Sequence, residues 1–266
     1  MYILVRGSGD IASAVAHLIF RAGYAVIIHD TAQPATTRRK MAFTDAIFEG
    51  RATLESLEAQ LVEDYTLLHS SLATHEIIPV TTLDFQALLQ ALHPKVLVDA
   101  RMRKHSQPEN QLTFAPFTIG LGPNFVAGET IRVAVETAWG ENLGQAITSG
   151  KTSPLMGEPK SIEGHARDRY LYAPCAGVFH IFHKIGDTVT QGDKIAHIGD
   201  ALLSAPISGV LRGLTHDGVP VEIKTKVIEI DPRLENPQIS GIAERPARIA
   251  QGVLQVIQDW EQNHAD

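Results

Sequence analysis

The chain has 266 residues, 44% hydrophobic and 20% charged, which is enough for one large or two ordinary domains and too apolar for a disordered polypeptide. Thirty acidic against 23 basic residues give a formal charge of -7 with no run of five or more Lys or Arg, which argues against nucleic acid as a partner. The single cysteine, Cys175, excludes an internal disulfide and any CxxC pair; a strand starting directly after Met1 and the lack of a bilayer-length apolar run predict a soluble cytoplasmic protein without a membrane partner.

Tyr2 to Val5 form a short apolar run that ends in glycines, the pattern of a buried parallel strand entering a tight turn. A helix follows, with Ile11, Ala14, Val15, Leu18, Ile19 and Ala22 on one face, Asp10 at its start and Gly23 as its stop. Ala25 to Ile28 read as a second buried strand ending at Asp30. Thr36 to Phe48 read as helical, with Arg38, Arg39 and Lys40 near the start, where the helix dipole disfavours positive charge unless an anion is bound. The pairing of residues 50–74 is ambiguous. Thr82 or Asp84 then caps a helix running through Leu92, and Val96 to Val98 form another buried strand leading into Asp99-Ala100-Arg101. Alternation of this kind predicts a nucleotide-binding domain over residues 1–150, with ligand contacts at the carboxyl ends of its strands.

Residues 151–169 are rich in Pro, Gly, Ser and charge and read as a connector. An internal repeat occupies 170–232. Ala173-Pro174, Gly177-Val178, Gly186, Val189, Lys194-Ile195 and Ile198 reappear, each displaced by the same 32 residues, as Ala205-Pro206, Gly209-Val210, Gly218, Val221, Lys226-Val227 and Ile230. Two copies of a short-strand unit predict a small β module with pseudo-twofold symmetry. The final segment, 233–266, carries an amphipathic helix with Ile249, Val253, Val256, Ile257 and Trp260 on one side.

Phosphate oxygens need close backbone N–H groups, and Gly7-Ser8-Gly9-Asp10-Ile11-Ala12 removes the side chains that would block them, with Ala12 in place of the third glycine of the G-x-G-x-x-G/A pattern. Asp30, 21 residues after Gly9, stands where a carboxylate accepts from a ribose hydroxyl. The ligand so predicted is a dinucleotide, with NAD mildly preferred over NADP. Asp99, Arg101, Arg103 and Lys104 lie at the sheet edge, where a guanidinium could clamp a phosphate or carboxylate, with a charged surface loop as the alternative. Gly120, Gly122 and Asn124 could form a second backbone nest, and Glu136 with Thr137 ends the next apolar stretch; simple turn chemistry is the alternative. No metal is expected: His180 and His183 fall on opposite faces of a strand, and His197 has no cluster of further ligands near it. Cys175 reads as a structural cysteine.

Val5-Arg6-Gly7-Ser8-Gly9-Asp10, Gln33-Pro34, Arg38-Arg39, Phe48-Glu49-Gly50, Val98-Asp99-Ala100-Arg101-Met102, Ile119-Gly120-Leu121-Gly122-Pro123-Asn124-Phe125 and Val135-Glu136-Thr137 together resemble the bacterial selenium-dependent molybdenum hydroxylase system proteins, a family related to xanthine dehydrogenase accessory proteins. The resemblance implies an accessory or maturation factor that binds a dinucleotide, NAD or a molybdopterin dinucleotide, in a Rossmann cleft, with a molybdenum hydroxylase client or its cofactor as partner. The alternative is an NAD-dependent oxidoreductase acting on a small molecule; a homo-oligomer is a further expectation, and the sequence assigns no catalytic residue. The β module is similar to the barrel-sandwich hybrid of biotinyl and lipoyl carriers, which present a modified lysine on a hairpin. The corresponding hairpin, Gly199-Asp200-Ala201-Leu202-Leu203, contains no lysine, so no biotin or lipoate attachment is expected. The predicted fold is therefore α/β: a Rossmann-like doubly wound parallel sheet followed by a small all-β barrel-sandwich hybrid module.

Overall fold

In the computed structural model, which describes residues 1–103, 106–154 and 159–264, apolar strands and helices alternate through the first hundred residues. The buried strand β1 (Tyr2–Arg6) turns through two glycines into α1 (Asp10–Arg21), and β2 (Ala25–His29) follows. Of the helix expected over 36–48, only a 3-10 turn at Arg39–Met41 and the short α2 (Asp45–Glu49) form. Arg38 is drawn out of helical geometry by a bidentate bond to Glu229, a contact remote in sequence. The ambiguous stretch folds as a hairpin of β3 (Arg51–Leu54) and β4 (Leu57–Leu61), turned by Glu55 at φ 52, and then as α3 (Tyr65–Thr74). After β5 (Ile78–Thr81), the Asp84 carboxylate accepts from the Ala87 N–H and caps α4 (Phe85–Leu92) as expected. The chain continues through β6 (Val96–Asp99), β7 (Phe117–Leu121), β8 (Val126–Ala127), β9 (Val133–Val135), β10 (Ala146–Ile147) and β11 (Gly150–Lys151).

Among the described residues, nine strands form the large sheet in the order β3-β4-β5-β2-β1-β6-β7-β9-β10. Neighbours are parallel from β4 through β9, whereas β3 and β10 pair antiparallel at the two edges. Both faces are covered, which explains why the central strands are apolar without alternation. Leu4, Ile27 and Leu97 pack with Leu68, Leu72, Leu88 and Leu92 from α3 and α4. Ile3, Val5, Ile28 and Val98 face α1 and, from the far end of the chain, α5 (Glu244–Asn263).

Residues 170–231 build two four-stranded antiparallel sheets from β12 (Tyr170–Tyr172), β13 (Gly177–Ile181), β14 (Thr188–Val189), β15 (Lys194–Ile198), β16 (Ala201–Ser204), β17 (Gly209–Leu214), β18 (Pro220–Val221) and β19 (Lys226–Asp231). Their orders are β12-β19-β17-β14 and β16-β15-β13-β18, so each half of the repeat exchanges strands with the other. Phe179, Ile195, Ile198, Leu211, Val227 and Ile230 fill the core between them. The last helix, α5 (Glu244–Asn263), returns to the large sheet and packs along α1. Gly252 lets α5 approach the loop between β9 and β10, since a Cβ there would lie 1.9 Å from the Gly144 carbonyl oxygen.

These findings correct the expected fold class. The large sheet is mixed and only mostly parallel, because a hairpin supplies one edge and β10 folds back on the other. The small antiparallel sheets do not simply follow a finished nucleotide domain as a biotinyl-type barrel: the helix that completes the sheet's core comes after them in the chain. The protein is a mixed α/β structure with one large sheet and small antiparallel sheets. Residues 155–158 of the expected connector, and Lys104, lie outside the described residues. No helix among the described residues is long and apolar enough to cross a membrane.

Candidate functional site

The glycine turn is tied into its surroundings from several directions. Gly7 (φ +103) donates its N–H to the His29 carbonyl at 2.7 Å, and a Cβ there would lie 3.2 Å from the Ala100 carbonyl oxygen and from Arg101 backbone atoms. The fold itself therefore requires this glycine. Ser8 is buried and donates both its N–H and its Oγ–H to Asp30 Oδ2, each at 2.7 Å, while its carbonyl accepts from Ser13 Oγ and Thr44 Oγ1. Asp30 Oδ1 accepts from the Thr31 N–H. Asp30 thus braces the turn with the carboxylate expected to face a ribose. Ile11 and Ala12 are buried in the core beneath.

Gly9 differs from Gly7. Its φ is -69, open to any residue, and an added Cβ would meet nothing nearer than Thr36 Oγ1 at 3.9 Å. Neither backbone conformation nor internal packing accounts for the missing side chain.

Asp10 turns from the sheet edge toward the antiparallel sheets. Its Oδ2 accepts from Arg38 Nη1 at 2.8 Å, and the other edge of the same guanidinium grips Glu229 at 2.8 and 2.9 Å. Glu229, with no exposed surface, also accepts from Arg169 at 2.8 Å and Lys226 at 2.9 Å. Burial raises the carboxyls of Asp10 and Glu229; Arg38 outweighs it at Asp10, and Lys226 and Arg38 outweigh it at Glu229, so both stay below their ordinary values. Burial pushes the Lys226 ammonium down to about 8 despite Glu229 beside it. Sequence reasoning missed this cluster, although a Glu within Val227-Ile228-Glu229-Ile230 is a signal, because a charge at a core register needs partners.

A second charged group lies at the carboxyl ends of β1 and β6, where Arg6 and Asp99 are register partners. Asp99, with 1% of its side chain exposed, accepts from Arg101 Nε at 3.0 Å, Gln111 Nε2 at 2.6 Å and Arg103 Nη2 at 3.3 Å. Burial raises its carboxyl, and hydrogen bonds and charge from Arg101 more than reverse that. Glu109 is the other counter-ion. Its Oε1 accepts from Arg6 Nη1 at 2.7 Å and Arg101 Nη2 at 2.8 Å, and its Oε2 from Arg103 Nη2 at 2.6 Å. The Arg6 guanidinium lies 3.7 Å from the Phe85 ring centroid, and its Nε is buried with no hydrogen-bond partner among the described residues. Sequence reasoning placed Asp99, Arg101 and Arg103 at this edge and missed Arg6, Glu109 and Gln111. The last two come from the loop after β6, whose path no periodicity reveals.

The expected nest at 120–124 borders the same edge. Gly122 (φ +108) would bring a Cβ to 3.3 Å from Met102 Sδ, and Asn124 (φ 73) donates to the Ser106 carbonyl at 3.2 Å. Gly120 is packed under Phe125, with a virtual Cβ 2.6 Å from the ring. Thus Gly7, Asp99, Arg101 and Gly122 come together at one edge, Asp30 joins them through Ser8, and Asp10 points elsewhere. Glu136 is buried and accepts from the N–H groups of Thr137, Ala138 and Ser153; burial raises its carboxyl, and those bonds hold it below the usual range. In the antiparallel sheets His180 stands opposite His197, with ring centroids 5.1 Å apart. No group of three or more potential metal ligands occurs among the described residues. Cys175 is a half-buried free thiol.

No family model matches the chain. It is 37% identical over 255 residues to "Uncharacterized protein YqeB" of Escherichia coli K12, covering 96% of this chain and 47% of that protein, so the chain spans about half the length of this relative. Among solved structures it is similar to a succinylglutamate desuccinylase from Silicibacter sp. TM1040 (14% identity, 86% and 84% of the two chains, TM-score 0.25). It is also similar to the product-bound ectoine utilization protein EutE (DoeB) from Ruegeria pomeroyi (14% identity, 55% and 59%, TM-score 0.23). At such TM-scores these likenesses assign no activity to this chain. The sequence expectation is corrected: nothing found supports the selenium-dependent molybdenum hydroxylase system proteins, since no family model matches and the curated relative is uncharacterized, and neither the maturation factor nor the NAD-dependent oxidoreductase is retained. Several motifs that carried that resemblance have structural duties here, Gly120 under Phe125, Asp99 paired to Arg101 and Glu136 capping backbone N–H groups.

Proposed function

We propose that the chain binds a small molecule of the dinucleotide class, its diphosphate lying against the backbone at Gly9. The observation that carries this reading is the space at Gly9: the fold excludes a side chain at Gly7 and has no such demand at Gly9. A glycine kept where a side chain would fit leaves backbone N–H groups open to close approach by phosphate oxygens, at a helix end whose dipole favours an anion. Asp10 and Arg38 form a neutral pair beside that position, and the Ser8 and Ile11 N–H groups already donate to Asp30 and Asp10, which leaves the dipole and the turn's other backbone donors as its anion-attracting features. Asp30 is available to a ribose hydroxyl through Oδ1, which accepts a single bond from Thr31. No redox or transfer step forms part of the proposal.

Calorimetric titration of NAD and ADP-ribose into wild type, Gly9→Ala and Gly9→Val tests it. Because a Cβ meets only Thr36 Oγ1, both variants are expected to fold, with melting shifts equivalent to about 1 kcal/mol or less for the alanine. The valine is expected to weaken binding at least about a hundredfold, the cost of losing close phosphate contacts. Undiminished binding to a folded Gly9→Val variant, or no binding of either probe to wild type, would remove the proposal.

A further inference from the structure

Among the described residues, the charged group at the ends of β1 and β6 holds three guanidiniums and two carboxylates, and the carboxylates differ in kind. Asp99 is 1% exposed and is bonded by Arg101, Arg103 and Gln111. Glu109 leaves 38% of its side chain exposed, and each of its three bonds goes to a different arginine. A lone carboxylate held by Arg6, Arg101 and Arg103 has the contacts that a ligand's carboxylate or phosphate would make, since guanidinium N–H groups match both oxyanions. Arg6 Nε is buried without an acceptor among the described residues, as are Arg169 Nε and Arg212 Nε in the other cluster, and Arg6 Nη1 is also bonded to Gln111 Oε1 at 3.3 Å. The planar group of Arg6 is held against Phe85, so it stays in place whether or not Glu109 does.

We propose that Arg6, Arg101 and Arg103 form a binding site for the carboxylate or phosphate group of a small-molecule ligand, and that Glu109 is its internal stand-in, displaced when ligand binds. Asp99 remains as the fixed counter-ion, so releasing Glu109 leaves two uncompensated positive charges facing the incoming anion. The Glu109 side chain thereby acts as a self-occupying latch on the sheet edge. A Cβ added at Gly7 would lie 3.2 Å from the Arg101 backbone, which places this site next to the glycine turn while drawing on different residues.

The test is titration of inorganic phosphate, and separately of malonate, at low salt into wild type, Glu109→Gln, Glu109→Ala and Glu109→Gln combined with Arg103→Ala. If the latch is open in about a tenth of molecules or fewer, removing its charge raises anion affinity at least about tenfold. Arg103→Ala in the Glu109→Gln background is expected to reverse the gain, and the tighter of the two anions gives the ligand class. Adding Gly9→Val to Glu109→Gln is expected to leave anion affinity unchanged, which separates this site from the dinucleotide proposal. A folded Glu109→Gln with wild-type affinity overturns the inference. So does failure of both Glu109 variants to fold, which would make Glu109 a structural counter-ion, or loss of anion binding on adding Gly9→Val, which would move the anion to the glycine turn.

Discussion

The two charged clusters are built from the same residue types and have different consequences. Around Glu229 a fully buried carboxylate joins Arg38 of the large-sheet segment to Arg169 and Lys226 of the antiparallel sheets. Further contacts cross nearby, from Arg39 Nε to the Leu214 carbonyl, from Lys40 to the Ile185 carbonyl and from the Leu214 N–H to the Thr37 carbonyl. At the carboxyl edge of β1 and β6, one carboxylate is buried and the other is partly in water. Burial decides which ions are cement: a desolvated charge cannot lose its partners without large cost, whereas a half-exposed one exchanges them for water or for a ligand.

Removing the central ion of each cluster sharpens this comparison. Glu229→Gln is expected to cost about 3–5 kcal/mol, because it strands several buried cations. Urea unfolding measures it, and a loss below about 1 kcal/mol would show that the cluster is not cement. Asp99→Asn should cost about 2–3 kcal/mol, less because Glu109 still holds the arginines.

The pH dependence follows from the same contrast. The Asp99 and Glu229 carboxyls lie below their ordinary values in the folded state, so their contribution is present above the unfolded pKa and is lost as pH falls through the folded one. Lys226 has the opposite consequence. Its folded pKa of about 8 lies below the ordinary 10.5, so between these values the unfolded chain binds more protons and stability rises with pH. Thermal melts of wild type against Lys226→Met across that window should show the rise in wild type alone. A fall would show that losing the Lys226–Glu229 pair outweighs relief of the buried charge. The smallest effect is expected for Glu109→Gln, within about 1 kcal/mol of wild type, as for other partly exposed ion pairs; a cost as large as that of Glu229→Gln would erase the distinction between the clusters.

The local sequence carried the strands β1, β2 and β6, the helices α1, α4 and α5, and the repeat, whose equivalent turns and apolar positions correspond strand for strand in the two small sheets. It also carried a signal that went unread. Asp99-Ala100-Arg101 and Asp231-Pro232-Arg233 each end a strand, and in each the arginine bonds back to the aspartate through both side chain and backbone N–H. Such a pair two residues apart at a strand end is a local structural device, and its recurrence shows that Asp99–Arg101 by itself marks no site.

Periodicity, glycine spacing and turn chemistry act between near neighbours, so the amino-acid sequence alone determined the individual elements, the glycine turn and the repeat. Tertiary structure decided what those elements meet: that α5 completes the large sheet after the antiparallel sheets have intervened, that Asp30 braces Ser8, and that Arg38 leaves helical geometry for Glu229. The arginines at the sheet edge likewise acquire Glu109 only through the path of a loop. Charge pairing and desolvation depend on distances across the folded chain, where residues as far apart as Arg38 and Glu229 become first neighbours.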